Sequence, residues 1–233
     1  MADISSYFDR TGTLKRPDAL QFLREFGAVL TDRTPPPTGD LPDGAGQVVL
    51  VLPAFLTGDG VTRTLRRFLQ ARGFRAYGWE FGVNVGPTGA ALRHVRRRAE
   101  LVADLNGGPI ALVGVSLGGL LARGLAHEAP GLLRHVATLA SPFRLPTASP
   151  LEPLVRLCRP FFDANINPAA QAAPLPVPST AFYTRDDGIV AWESCVSEGD
   201  PNCLNIEVSG PHMTICRNPT VLTRLVERIA PHD

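Results

Sequence analysis

A chain of 233 residues with 44% hydrophobic side chains can bury one substantial core, so a single domain is the expectation. Acids and bases nearly balance at a formal net charge of +1, which gives no electrostatic reason to expect nucleic acid or an anionic membrane surface as partner. No stretch approaches the roughly 20 apolar residues of a membrane span, and the first residues carry acids where a secretion signal carries positive charge, so a cytoplasmic protein is expected.

In chain order, residues 16–30 place Leu20, Leu23, Phe26 and Leu30 at helical spacing, with a proline and Asp18 at the start. A proline- and glycine-rich connector then runs to residue 46. Six short β-prone runs follow, at 47–52, 74–79, 110–115, 135–140, 179–185 and 203–209. Helical segments separate the earlier runs, at 60–72, 88–105 and 117–128, and "PTVLTRLVERIA" closes the chain. Arg93, Arg96, Arg97 and Arg98 give the second of these segments an exposed basic face. Strands apolar on both faces, alternating with helices, predict an α/β fold with a mostly parallel central sheet of about six strands covered by helices on both sides. The organisation is thus a helix and connector over 1–46 and an α/β unit over 47–233. Residues 142–178 are dense in proline and too long for a plain connection, which marks a functional insertion. Within it Leu151, Leu154, Val155, Cys158, Phe161 and Phe162 form an apolar face. The cysteines, Cys158, Cys195, Cys203 and Cys216, lack C-x-x-C spacing, and free thiols are expected.

The third β-prone run leads straight into "GVSLGGLLARGLAHEAP", where Gly114, Ser116 and Gly118 make G-x-S-x-G at a strand-to-helix junction. A nucleophile on so sharp a turn needs small neighbours two residues away on each side, and the helix that follows favours negative charge beside the hydroxyl. Of the five histidines, His94, His127, His135 and His232 read as surface or packing residues. His212, in a Gly-Pro loop between the last strand and the last helix, can reach the top of the sheet. An acid belongs between Ser116 and His212 at the C-terminal end of a strand. Asp186 and Asp187 in "TRDDGIV" both satisfy this, whereas Asp163 lies in the insertion and Asp200 in a turn before the last strand.

The segments "VLPAFLTGDG", "YGWEFGVNVGPTG", "LVGVSLGGLLAR", "TLASPF", "PSTAFYTRDDGIVAW" and "EVSGPHMTICRNPTVL" together resemble the α/β-hydrolase superfamily, in particular a bacterial lipase/esterase-like branch, over roughly residues 47–229. The resemblance implies an α/β-hydrolase fold and hydrolysis of carboxylic esters through an acyl-enzyme. It assigns Ser116 as nucleophile, Asp187 as acid and His212 as base, with the backbone N–H groups of Leu117 and Phe55 as oxyanion donors. The chain departs from many lipases in carrying Pro53-Ala54 where they have His-Gly, and Thr184 where the branch often has Ser. Asn84 belongs to a branch signature and is expected to structure its loop. The insertion is expected to cap the site, with Phe161, Phe162 and Leu154 facing an apolar acyl or aromatic ester. No cofactor and no metal is expected, because the adjacent aspartates lack the His and carboxylate spacing of a metal site. The same triad suits a thioesterase, amidase or acyltransferase, and a non-catalytic protein holding a hydrophobic ligand is the alternative from another class.

Overall fold

Six apolar runs pair into one parallel sheet in the computed structural model, which describes residues 17, 19–32, 34–144, 149–163 and 168–231. The strands are β1 (Val48–Leu52), β2 (Arg75–Gly78), β3 (Ile110–Val115), β4 (Leu133–Leu139), β5 (Ser179–Tyr183) and β6 (Cys203–Glu207), each within a predicted run or two residues of it. Their order across the sheet is β2-β1-β3-β4-β5-β6, with every neighbouring pair parallel. β1 and β3 are buried at every position, as strands covered on both faces must be.

The helices are α1 (Ala19–Thr31), α2 (Arg63–Ala71), α3 (Gly89–Asn106), α4 (Leu117–Glu128), α5 (Glu152–Cys158), α6 (Pro168–Ala172) and α7 (Pro219–Ile229). Leu65, Phe68 and Leu69 of α2 join Val221, Leu222, Leu225, Val226 and Ile229 of α7 in one core, against Val49, Val51, Ala111 and Val113 of the sheet. The opposite core sets Val95, Ala99 and Val102 of α3 and Leu121, Leu125 and Ala126 of α4 against Val48, Leu50, Leu52 and Leu112. Strand alternation sorts these residues between the two faces, and each fully buried Val or Leu contributes roughly 1.5–3 kcal/mol. The chain leaves β1 for β2 in one direction and returns past β1 to β3 in the other. Right-handed crossovers therefore set α2 and α3 on opposite faces.

Local chemistry ends the helices where the sequence predicts. Thr88 caps α3 by accepting the Ala91 N–H, and Gly107 closes it at φ 73°. Asn218 caps α7 by accepting from Thr220 and Val221, with Pro219 in its first turn.

One element turns the other way from its expected face. Leu20, Leu23, Phe26 and Leu30 of α1 are exposed, Leu30 by 74%, while Phe22 and Glu25 point inward. Apolar spacing on a short helix marks a stripe, and here the inner face is chosen by a polar partner described below. All four cysteines are free thiols. No helix among the described residues is long and apolar enough to cross a membrane. Asp18, residues 145–148 and 164–167 of the insertion, and His232 lie outside the described residues.

Candidate active site

Ser116 occupies the residue between β3 and α4 with φ 50° and ψ −120°, a conformation that non-glycine residues rarely hold. Two hydrogen bonds fix the turn: the Ser116 N–H donates to Leu139 O at 2.8 Å, and the Gly119 N–H donates to Ser116 O at 2.9 Å. The flanking glycines are there for close approach. A methyl at Gly118 would stand 2.6 Å from Leu52 O at the end of β1, and one at Gly114 would overlap the Gly119 backbone. The turn thus presses α4 onto β1 and β3 and leaves the serine at the C-terminal edge of the sheet.

Asp187 and His212 follow β5 and β6 and stand at that same edge. The carboxylate of Asp187 is used at both oxygens. Oδ1 accepts the N–H groups of Ile189 and Val190, each at 2.8 Å. Oδ2 lies 2.7 Å from His212 Nδ1, and both side chains are buried. With Oδ1 pinned by the turn, Oδ2 is held toward the ring. The aspartate thereby selects the tautomer with hydrogen on Nδ1 and leaves Nε2 as the basic nitrogen.

Asp186 has a different job. Its Oδ2 accepts the Gly210 N–H at 2.8 Å, tying the β5 turn to the loop before His212. The Thr184 hydroxyl reinforces the tie by donating to Gly210 O at 2.7 Å. An ion pair between Asp186 and Arg185 does not form. Arg185 turns instead to Glu207 at 3.0 Å and lies over the Trp192 ring at 4.1 Å, because the guanidinium gains a carboxylate and an aromatic face there.

Sequence reading singles out no role for Glu25, yet the structure buries it completely against this site. Glu25 Oε1 accepts the N–H groups of Gly188 (2.7 Å) and His212 (2.9 Å), and Oε2 accepts that of Met213 (2.8 Å). A glutamate on the face opposite a helix's apolar stripe gives no local signal of this. The one trace is Gly188, where a methyl would come within 2.5 Å of Gln21 O in α1. Burial works to lower the His212 pKa, but the charge and hydrogen bond of Asp187, helped by the charge of Glu25, outweigh it and raise the pKa above the ordinary 6.5. Cys195, buried near Asp187, has its thiol pKa pushed well up by burial and stays neutral.

No protein-family model and no curated protein matches the sequence. Solved structures do match. A metagenome-derived lipolytic enzyme superposes with a TM-score of 0.62 at 13% identity, over 81% of this chain and 95% of its own. An esterase of Pyrococcus furiosus gives 0.61 at 18% identity, over 80% and 83%. A thioesterase domain from the curacin biosynthetic pathway gives 0.57 at 14% identity, over 80% and 92%. The chain has the α/β-hydrolase fold.

In this α/β-hydrolase fold the strand order reverses between β1 and β3, and the loops after those two strands flank the crevice where such sheets place ligands. Phe55 comes from the first loop and Leu117 from the second, and the two side chains meet in one apolar cluster with Leu120 and Phe143. Asn84 structures the first loop, as expected. Its amide donates to Pro53 O at 2.7 Å, its carbonyl O accepts the Leu56 N–H at 2.7 Å, and its N–H donates to Thr57 O at 2.8 Å. The left-handed residue of this loop is Leu56, at φ 55°, so Ala54 escapes the strain that its replacement of glycine suggests.

The insertion packs in two ways. Phe162 lies against Gly86, and the Asp163 N–H donates to Pro87 O at 3.0 Å, docking the end of the first half on the loop before α3. Phe161 is 71% exposed, and Leu154 is exposed as well. The second half is held by Arg123 of α4, which is almost fully buried. Arg123 donates to the Gln171 and Ala173 carbonyls, each at 2.6 Å, and lies 4.1 Å over the Phe143 ring. Burial lowers its pKa to about 10, which leaves it charged at neutral pH. Of the remaining histidines, His135 is buried with Nε2 3.0 Å from Thr180 Oγ1, and His94 stacks on Phe81. Among the described residues no group of three or more His, Cys, Asp or Glu side chains is placed to hold a metal ion.

Proposed function

We propose that this chain is a serine hydrolase that cleaves carboxylic esters through Ser116, His212 and Asp187. The observation that carries the reading is the buried 2.7 Å bond from Asp187 to His212 Nδ1, on the sheet edge where Ser116 stands in a strained turn. In this mechanism Ser116 Oγ attacks the ester carbonyl while His212 Nε2 takes its proton. Asp187 holds the tautomer and stabilises the imidazolium. The oxyanion is received by the N–H groups of Leu117 and Phe55. Leu117 is the first residue of α4, where backbone donors have no partner within the helix. Loss of one such donor costs about 3–4 kcal/mol in comparable sites. His212 returns the proton to the leaving alcohol, then activates the water that hydrolyses the acyl-enzyme.

The substrate class that fits is an ester with an apolar acyl or aromatic group, since Leu117, Phe55, Leu120 and Phe143 cluster at the elbow. The insertion would cap it. A thioester substrate is the second reading, favoured by the likeness to the curacin-pathway thioesterase domain. The test is hydrolysis of nitrophenyl esters and acyl thioesters of graded length, with covalent labelling by a fluorophosphonate. Ser116→Ala is expected to lose both labelling and turnover while keeping its circular dichroism and melting temperature. Turnover that survives in Ser116→Ala would end the proposal.

A further inference from the structure

The N-terminal helix contributes a carboxylate to the base side of the site, and three backbone N–H groups converge on it. Two of these, Gly188 and His212, belong to or adjoin the residues that carry the acid and the base, and the third is Met213. An ionised carboxylate suits this cradle, since all its neighbours donate and a glutamine would oppose its own N–H groups to one of them. Glu25 is fully buried, so its charge acts through little solvent. Resting on the triad reading above, we propose that Glu25 is a positioning residue for the reaction: it clamps the Asp187 turn to the His212 loop and so holds the imidazole in place.

The clamp acts on the backbone, and through it on the ring. The Asp187–His212 bond spans two loops that leave different strands, and Glu25 Oε1 bridges the same two loops one residue from Asp187 and at His212 itself. A fault here displaces Nε2 without touching any group that contacts substrate. Among the described residues, the charged groups acting on the ring are Asp187 from the β5 turn and Glu25 from α1, while Asp186 reaches the same loop through Gly210. Farther along the turn that begins at His212, Arg217 is paired with Asp32 at the end of α1. Cys195 beside Asp187 is neutral. Glu25, like Asp186, can be changed without removing the bond to Nδ1, and of the two only Glu25 accepts the His212 N–H.

The experiment compares full-length wild type and Glu25→Gln in two readouts. The first is the pH dependence of kcat/KM on a nitrophenyl ester, and the second is the titration of the His212 ring followed by NMR. With glutamine, the acidic limb and the His212 midpoint are both expected to move to lower pH, and kcat/KM on the alkaline plateau to fall about 10- to 100-fold through mispositioning. A residue that only holds α1 in place would lower the melting temperature and leave both pH readouts where they were, and that result overturns the inference. If Glu25→Gln does not fold, wild-type hydrogen exchange decides. Slow exchange at the His212 and Met213 amides supports the clamp, and unprotected amides overturn it. The NMR titration and the exchange need no turnover, so an inactive wild type would refute the esterase reading while still judging Glu25.

Discussion

The two aspartates of "TRDDGIV" separate by what their oxygens accept. Asp187 spends Oδ1 on Ile189 and Val190 and aims Oδ2 at His212, whereas Asp186 spends Oδ2 on Gly210. Asp187→Asn is expected to lower kcat about 10⁴-fold with little change in fold, because an amide facing Nδ1 favours the wrong tautomer. Asp186→Asn keeps an oxygen for the Gly210 N–H and is expected to stay within a few-fold of wild type. Steady-state kinetics on one ester decides both. Residue type alone could not rank these neighbours, since both are carboxylates at a strand end. The D-G pattern of the resembling branch chose Asp187, the aspartate whose Oδ2 lies 2.7 Å from His212 Nδ1. The raised His212 pKa adds a pH prediction with a definite sign. In the proposed mechanism His212 works only when neutral, and a raised pKa keeps the protonated form to higher pH. The rate therefore climbs with pH through a midpoint above the ordinary histidine value of 6.5, measurable as the acidic limb of kcat/KM.

Among the elements, α1 shows where periodicity misleads. Its apolar stripe is real in sequence, yet the face that packs is the one carrying Phe22 and Glu25. Hydrophobic spacing predicts which residues share a face, not whether that face meets the core. The partner that decides here is a set of amide donors 163 to 188 residues away in sequence, which no local window contains. Two substitutions read out the docking by urea denaturation. Leu23→Glu on the exposed stripe is expected to change stability by less than about 0.5 kcal/mol. Gly188→Ala drives a methyl against the α1 backbone and is expected to cost about 1–3 kcal/mol. By contrast α3, α4 and α7 were legible nearly to the residue, because long apolar faces mark all three and capping side chains open α3 and α7.

For the molecule as a whole, the number, direction and burial of the strands follow from short apolar runs alternating with helices. Their lateral order does not, since alternation says nothing about which strands are neighbours. The order matters because the reversal between β1 and β3 brings the loop of Phe55 beside the turn of Ser116. The manner in which the insertion is held was also invisible, resting on a buried arginine reaching two carbonyls some fifty residues on.

The backbone at Ser116 has one more consequence. A side chain at φ 50° and ψ −120° costs of order 1–3 kcal/mol, which glycine escapes and alanine does not. Ser116→Gly is therefore expected to melt at a higher temperature than Ser116→Ala, and calorimetry of the two variants measures the difference. Ser116 is the nucleophile of the proposed mechanism, so a population selected for heat tolerance alone would drift toward losing it. Keeping activity in such a screen requires that every round be scored on turnover as well as survival.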